Sequence, residues 1–180
     1  MSTLVGLFHH RWSAPILAEL HRGAGSRFVT LANRLGLSRE SLSRTLTALI
    51  QQGLIARNPG YGHPLRPEYI LTDAGAQLGP PCREMVEALD RLGLEHVGLK
   101  KWSMPTLFAL ASRRRSQRFS ELQAALPGIT GRALAFALKD LVAAGLVERT
   151  VTEDYPPATV YRITERARPL RPILRRLAGG

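Results

Sequence analysis

An internal repeat constrains this chain more than any other feature. Arg11-Trp12-Ser13-Ala14-Pro15 returns as Lys101-Trp102-Ser103-Met104-Pro105, 90 residues on. Arg27-Phe28 returns as Arg118-Phe119 at an offset of 91. From Leu42 the offset is 92: Leu42, Leu46, Leu49, Gly53, Leu54 and Arg57 match Leu134, Leu138, Leu141, Gly145, Leu146 and Arg149. Tyr69, Thr72, Leu78 and Pro80 continue the match as Tyr161, Thr164, Leu170 and Pro172. A dozen matches in order mark a duplicated unit, and the slow drift in offset marks short loop insertions between the copies. The chain therefore reads as two domains, 1–97 and 98–180.

Each copy spells out the same elements. Ser13 or Ser103 stands where a helix N-cap belongs, with a proline two residues later in the first turn. A Gly- and Arg-bearing loop follows. Gly23-Ala24-Gly25 lacks the preceding strand and the Lys-Ser/Thr of a phosphate loop, so it reads as a turn. A short helix is expected over Phe28–Leu35, matched by Phe119–Leu126. Ser38 or Thr130 then caps a longer helix, whose apolar positions Leu42, Leu46, Leu49 and Ile50 share one face. Gly53 and Gly145 terminate those helices. Two short strands with a Pro-rich loop between them, Leu54–Arg57 with Glu68–Leu71 and Leu146–Thr150 with Val160–Ile163, make a hairpin. Thr72-Asp73 or Thr164-Glu165 opens a last helix.

The expected fold is thus mainly α (α+β). It comprises two tandem winged helix-turn-helix domains, each a helical core with a two-stranded β-wing. In that plan the second helix of the pair enters the DNA major groove and the wing lies near the phosphates.

Charge points the same way. The net charge is +11, and all but three of the 25 basic residues are arginine. Residues 1–98 carry 10 basic and 8 acidic side chains and residues 99–180 carry 15 and 6, giving +2 and +9. A strongly basic protein seeks an anionic partner, nucleic acid being the commonest. No apolar run reaches the ~18–20 residues that span a membrane, no secretory signal opens the chain, and the single cysteine, Cys82, excludes an internal disulfide framework. A cytoplasmic location without membrane association is the expectation.

These residues resemble the HxlR-type (MarR-related) winged-helix regulators of bacteria. The second copy carries the closer match: Lys101-Trp102-Ser103-Met104-Pro105, Arg118-Phe119-Ser120-Glu121-Leu122, Leu126-Pro127-Gly128-Ile129-Thr130 and Gly145-Leu146-Val147-Glu148-Arg149-Thr150, with Pro156-Pro157 and Val160-Tyr161 in the wing. The resemblance implies sequence-specific binding of double-stranded DNA with transcription as the output. Members of that family are usually single-domain homodimers, so a tandem copy reads either as a monomeric pseudo-dimer or as a homodimer with four heads. Some members sense oxidants through a cysteine near the N-terminus. Neither copy has one, so that mechanism is not carried over.

The outer face of the longer helix distinguishes the copies. The first offers Arg39, Glu40, Ser41, Ser43, Arg44, Thr45 and Thr47, donors and acceptors suited to base edges and phosphates. The second has Gly131, Arg132, Ala133, Ala135, Phe136, Ala137 and Lys139 there. Base reading is expected mostly from the first copy. The second is expected to supply phosphate contacts from Arg113, Arg114, Arg115, Arg118 and Lys139, or a protein interface around Phe136; the alternative is that both copies read DNA, the second through Arg132 and apolar contacts. The other reading is a protein-interaction or small-molecule-binding module on the same scaffold, with Phe136 at its centre. A small-molecule effector is compatible with either, although no residue pattern marks its site.

Cys82 follows Pro80-Pro81 near an expected helix start, where a thiolate could be stabilised, but it aligns with Leu174 and reads as a buried apolar residue. Trp12 and Trp102 read as packing residues. His9-His10 lacks acidic or cysteine partners at ligand spacing, so no metal or cofactor is expected. No nucleophile elbow, dinucleotide fingerprint or zinc motif is present, so the chain is not expected to be an enzyme.

Overall fold

The structure is a computed structural model that describes residues 2–23, 25–58, 67–113, 115–153 and 155–179. Its elements run α1 (Ser2–Leu7), α2 (Ser13–Gly23), β1 (Ser26–Arg27), α3 (Phe28–Leu35), α4 (Arg39–Gln51), β2 (Ile55–Asn58), β3 (Glu68–Leu71), α5 (Asp73–Leu92), α6 (Glu95–Gly98), α7 (Ser103–Ala111), β4 (Gln117–Arg118), α8 (Phe119–Ala125), α9 (Gly131–Ala143), β5 (Val147–Val151), β6 (Thr159–Ile163) and α10 (Leu170–Leu177), with a 3₁₀ turn at Glu165–Ala167. Two compact units form. One is His10–Glu87; the other joins the N-terminal residues up to His9 to Ala88–Gly180. Helix α1 thus packs on α7, within the unit of the second repeat, where Leu4, Leu7 and Phe8 are buried.

The helix pair of the first unit is written in its punctuation. Gly36 closes α3 at φ 62°, and the Ser38 hydroxyl accepts a hydrogen bond from the Ser41 amide at 3.2 Å to start α4. Leu42, Leu46 and Leu49 are buried, each contributing about 1.5–3 kcal/mol by leaving water. Ile50, expected on that face, is 41% exposed. Helix α4 ends on Gly53 at φ 68°, with Gly53 N donating to Ile50 O at 2.9 Å and Leu54 N to Leu49 O at 3.0 Å. That pair of hydrogen bonds satisfies carbonyls the helix end would otherwise orphan, and the left-handed Gly53 has no Cβ to clash. The second unit repeats it: the Thr130 hydroxyl accepts from Ala133 N at 3.2 Å, and Gly145 and Leu146 donate to Val142 O and Leu141 O, both at 2.9 Å.

Each sheet has three antiparallel strands rather than the two expected. The orders are β1-β3-β2 and β4-β6-β5. The added strand comes from the Gly- and Arg-bearing loop, with Ser26 opposite Tyr69 and Gln117 opposite Tyr161. A two-residue strand has too few positions to show the alternation that marks longer ones. Most of the first wing loop, 59–66, lies outside the described residues. The second wing is closed at its turn by Thr152 N donating to Ala158 O at 2.8 Å.

Three local expectations need correction. Ser13 and Ser103 are not caps. Each is the first residue inside its helix, buried, and its hydroxyl has no hydrogen-bond partner among the described residues. Pro80 and Pro81 do not stand near a helix start; they lie within the 20-residue α5. The closing segment of the second copy is not one helix from Thr164. It divides into the 3₁₀ turn and α10. At Gly75, near the start of α5, a Cβ would stand 1.9 Å from the Leu54 carbonyl oxygen. The repeat places Ala167 at that position. Its methyl group cannot occupy the same space, so the chain turns differently before Pro169 restarts a helix.

Candidate nucleic-acid interface

Helix α4 separates its faces cleanly. Leu42, Thr45, Leu46 and Leu49 point inward, whereas Arg39, Glu40, Ser43, Arg44 and Thr47 are exposed and Ser41 is half-buried. Thr45, expected on the outer face, is 2% exposed and donates to the Ser41 carbonyl at 2.8 Å. It supports the helix and is unavailable to a ligand. The Arg44 guanidinium meets Glu40 one turn back at 2.5 Å, both side chains lying in solvent. An exposed pair of this kind is weak, so Arg44 is held in place without being locked.

Helix α9 presents a different surface from the same geometry. Arg132, Ala135, Phe136 and Lys139 are exposed, and Ala137 is buried as Thr45 is. Phe136 is 55% exposed, with the Arg132 guanidinium 5.6 Å from its ring centroid. Lys139 lies beside Arg149 of β5 and Tyr161 of β6, which with Ala135 and Leu138 line a depression of ≈ 410 Å³ between helix and wing. Arg149 escaped selection as a site residue from the sequence, although its match with Arg57 was visible there. Only the hairpin register, with Arg149 opposite Tyr161, brings it to the helix.

The other basic residues expected at the interface have different surroundings. Arg115 is engaged by the Glu121 carboxylate, which also accepts from the Arg118 backbone amide at 2.8 Å. Together these bonds hold the Glu121 carboxyl well below the usual range, at about 2. Arg118 is exposed at the end of β4. Arg113 lines a separate basic concavity at the end of α7. Arg114 lies outside the described residues.

The scaffold residues behave alike in both copies. Arg11 lies over the Trp12 ring and Lys101 over Trp102, each at 5.3 Å. Thr72 and Thr164 donate to the carbonyls of Gly53 and Gly145 at 2.6 and 2.7 Å, tying the strand exit to the end of the preceding long helix. Cys82 is fully buried, and burial pushes its thiol up to about 12. Among the described residues no cluster of His, Cys, Asp and Glu can hold a metal ion, and no helix is long and apolar enough to cross a membrane.

A capped helix-turn-helix whose second helix shows polar side chains to solvent, followed by an antiparallel hairpin, defines the winged-helix class of DNA-binding regulators. The chain belongs to the HxlR-like helix-turn-helix family, whose model matches it twice, over residues 7–96 and 97–179. This is a family of transcriptional regulators, and the protein is not an enzyme. It is similar to the uncharacterized HTH-type transcriptional regulator YvaP of Bacillus subtilis (strain 168), with 38% identity over 93 residues, 52% of this chain and 79% of that protein. Among solved structures it is similar to a MarR-family transcriptional regulator of Porphyromonas gingivalis W83, at 30% identity and a TM-score of 0.43, covering 47% of this chain and 80% of that one. It is also similar to an HxlR-family transcription factor of Thermoplasma volcanium GSS1, at 26% identity and a TM-score of 0.41, covering 69% and 92%.

Proposed function

We propose that this regulator reads an operator in double-stranded DNA chiefly through α4, and that the second copy anchors the complex. The observation that carries this reading is the contrast between the two outer faces. Helix α4 exposes Arg39, Glu40, Ser43, Arg44 and Thr47, while α9 exposes Ala135 and Phe136 at the positions of Ser43 and Arg44. Discrimination by bidentate hydrogen bonds is worth about 1–3 kcal/mol per base, and alanine and phenylalanine cannot make them. In this reading Ser43 and Arg44 contact base edges, and Ser41, half-buried near the start of α4, contacts a phosphate or an adjacent base. Arg118, Arg132 and Lys139 meet phosphates, as do Arg113, Arg114 and Arg115 where the backbone passes them.

The domains of this proposal are 1–97 and 98–180, close to the two family matches. Two covalently joined heads act as an intramolecular pseudo-dimer in the cytoplasm. The target is an imperfect palindrome, because the heads differ; half-sites in this class lie about 34–36 Å apart. The rival assembly is a homodimer with four heads. A second reading is favoured by one observation, the exposed Phe136: α9 docks another protein and only α4 touches DNA.

The test is binding of the purified chain to its own upstream DNA and to scrambled DNA across a salt series. The reading requires specific binding about 10³-fold or more above non-specific binding, persisting at moderate salt. Equal affinities that collapse together as salt rises would reduce the interaction to phosphate attraction.

A further inference from the structure

We propose that the second unit contains a binding site for a small organic anion carrying two or more oxyanion charges, in a concavity distinct from the DNA-reading face. The concavity measures ≈ 1190 Å³ and opens between the end of α7, the root of the β5–β6 hairpin and α10. Five arginines line it: Arg113, Arg162, Arg168, Arg171 and Arg175. Only two carboxylates accompany them. Glu148 takes Arg162 at 3.3 Å, and Glu165 takes Arg168 at 2.8 Å. The Arg171 guanidinium donates to the Ala111 carbonyl at 2.9 Å, which fixes it at the wall without neutralising it. Among the described residues Arg113 and Arg175 make no salt bridge, although Arg113 lies near enough to Glu121 to help lower its carboxyl. The site thus holds three positive charges in excess.

Three of the five arginines are particular to the second copy: at the positions of Arg162, Arg168 and Arg171 the first copy has Ile70, Ala76 and Gly79, while Arg175 matches Arg83. Crowding cations into one hollow costs stability through self-repulsion unless an anion relieves it. Guanidinium groups match the oxygens of carboxylate and phosphate in paired hydrogen bonds, which sets the ligand chemistry. Leu110 and Ile163 also line the hollow, so the ligand has an apolar body beside its charges.

Its position separates it from the outer face of α9, and Arg113 is the one lining residue that the proposed DNA complex also uses. None of the exposed residues of α9 lines the concavity, and the strand residues that do, Val147, Glu148, Arg162 and Ile163, lie at the hairpin end remote from the turn at Thr152–Ala158.

The experiment is calorimetric titration of the full chain with pyrophosphate and, separately, citrate, against sodium chloride at matched ionic strength. Saturable binding of at least one, at one site per chain, is expected, and the stronger of the two tells phosphate from carboxylate chemistry. The R168Q/R175Q double variant should keep its melting temperature and its affinity for duplex DNA, and should lose at least about tenfold in affinity for the anion. Heat from neither anion, or equal binding by the double variant, overturns the site. A parallel loss of DNA affinity also overturns it, by making the concavity a phosphate contact. Anion binding is read directly, so its failure is distinguishable from failure of the DNA-reading proposal.

Discussion

Single side chains in this protein take their roles from what surrounds them. Glu121 is held charged by Arg115 and by the Arg118 amide, with its folded pKa lowered from 4.5 to about 2. A carboxyl lowered on folding stabilises the native state above its unfolded pKa, and that stabilisation drains away as pH falls through 4.5 toward 2. Replacing Glu121 with Gln should therefore flatten the decline in melting temperature across that window relative to the parent. Thermal melts from pH 6 to pH 2 check this, and parallel curves would show that Glu121 has no such role. Cys82 is the opposite case, a thiol kept neutral by burial. It should resist iodoacetamide at pH 8 in the native protein and react promptly in denaturant, measured by mass spectrometry; fast native labelling would contradict the buried assignment. Glu19 went unnoticed in the sequence. Although only 6% exposed, it receives Arg34 at 2.5 Å and Arg22 at 3.3 Å, which ties α2 to α3. Its counterpart in the repeat is Ala109, so the pattern of matches gave no warning of a buried charge there.

Among the elements, the long helices were the most legible. Their apolar spacing, the Ser38 and Thr130 caps and the terminal Gly53 and Gly145 are local signals, each with a local physical cause. The short edge strands β1 and β4 were not legible, because their pairing is with β3 and β6, more than 40 residues away. Nor was the different fate of the two closing helices, which turns on the approach of Gly75 to the Leu54 carbonyl. Gly75→Ala should be costly, about 1–3 kcal/mol or more as for other overpacked sites. Ala167→Gly in the second copy should cost only about 0.5–1 kcal/mol beyond the lost methyl burial. Urea denaturation of the two variants compares them directly, and a tolerated Gly75→Ala would remove this account of the divergence.

For the whole protein, duplication has left two copies with one scaffold and different faces. If α4 does the reading, S43A/R44A should abolish preference for the operator, while R132A/K139A should weaken binding to specific and scrambled DNA alike. Fluorescence anisotropy on both DNAs distinguishes these outcomes, and equal loss of discrimination in the two variants would make both copies readers. Solution mass separates the pseudo-dimer from the four-headed homodimer. The packing of α1 on α7 bears on this level too: the first residues of the chain complete the core of the second repeat's unit, which no comparison of the repeats announces.

Duplication, fold class and the position of the second helix of each pair were available from the residues alone, because caps, glycine stops and helical periodicity act over a few neighbours and recur twice. The depth of Thr45, the place of Arg149 in the depression between α9 and the wing, the seat of α1 and the arginine-lined hollow were not. Each depends on which segments distant in the chain come to face one another, and that follows from burying apolar surface in three dimensions rather than from any local preference.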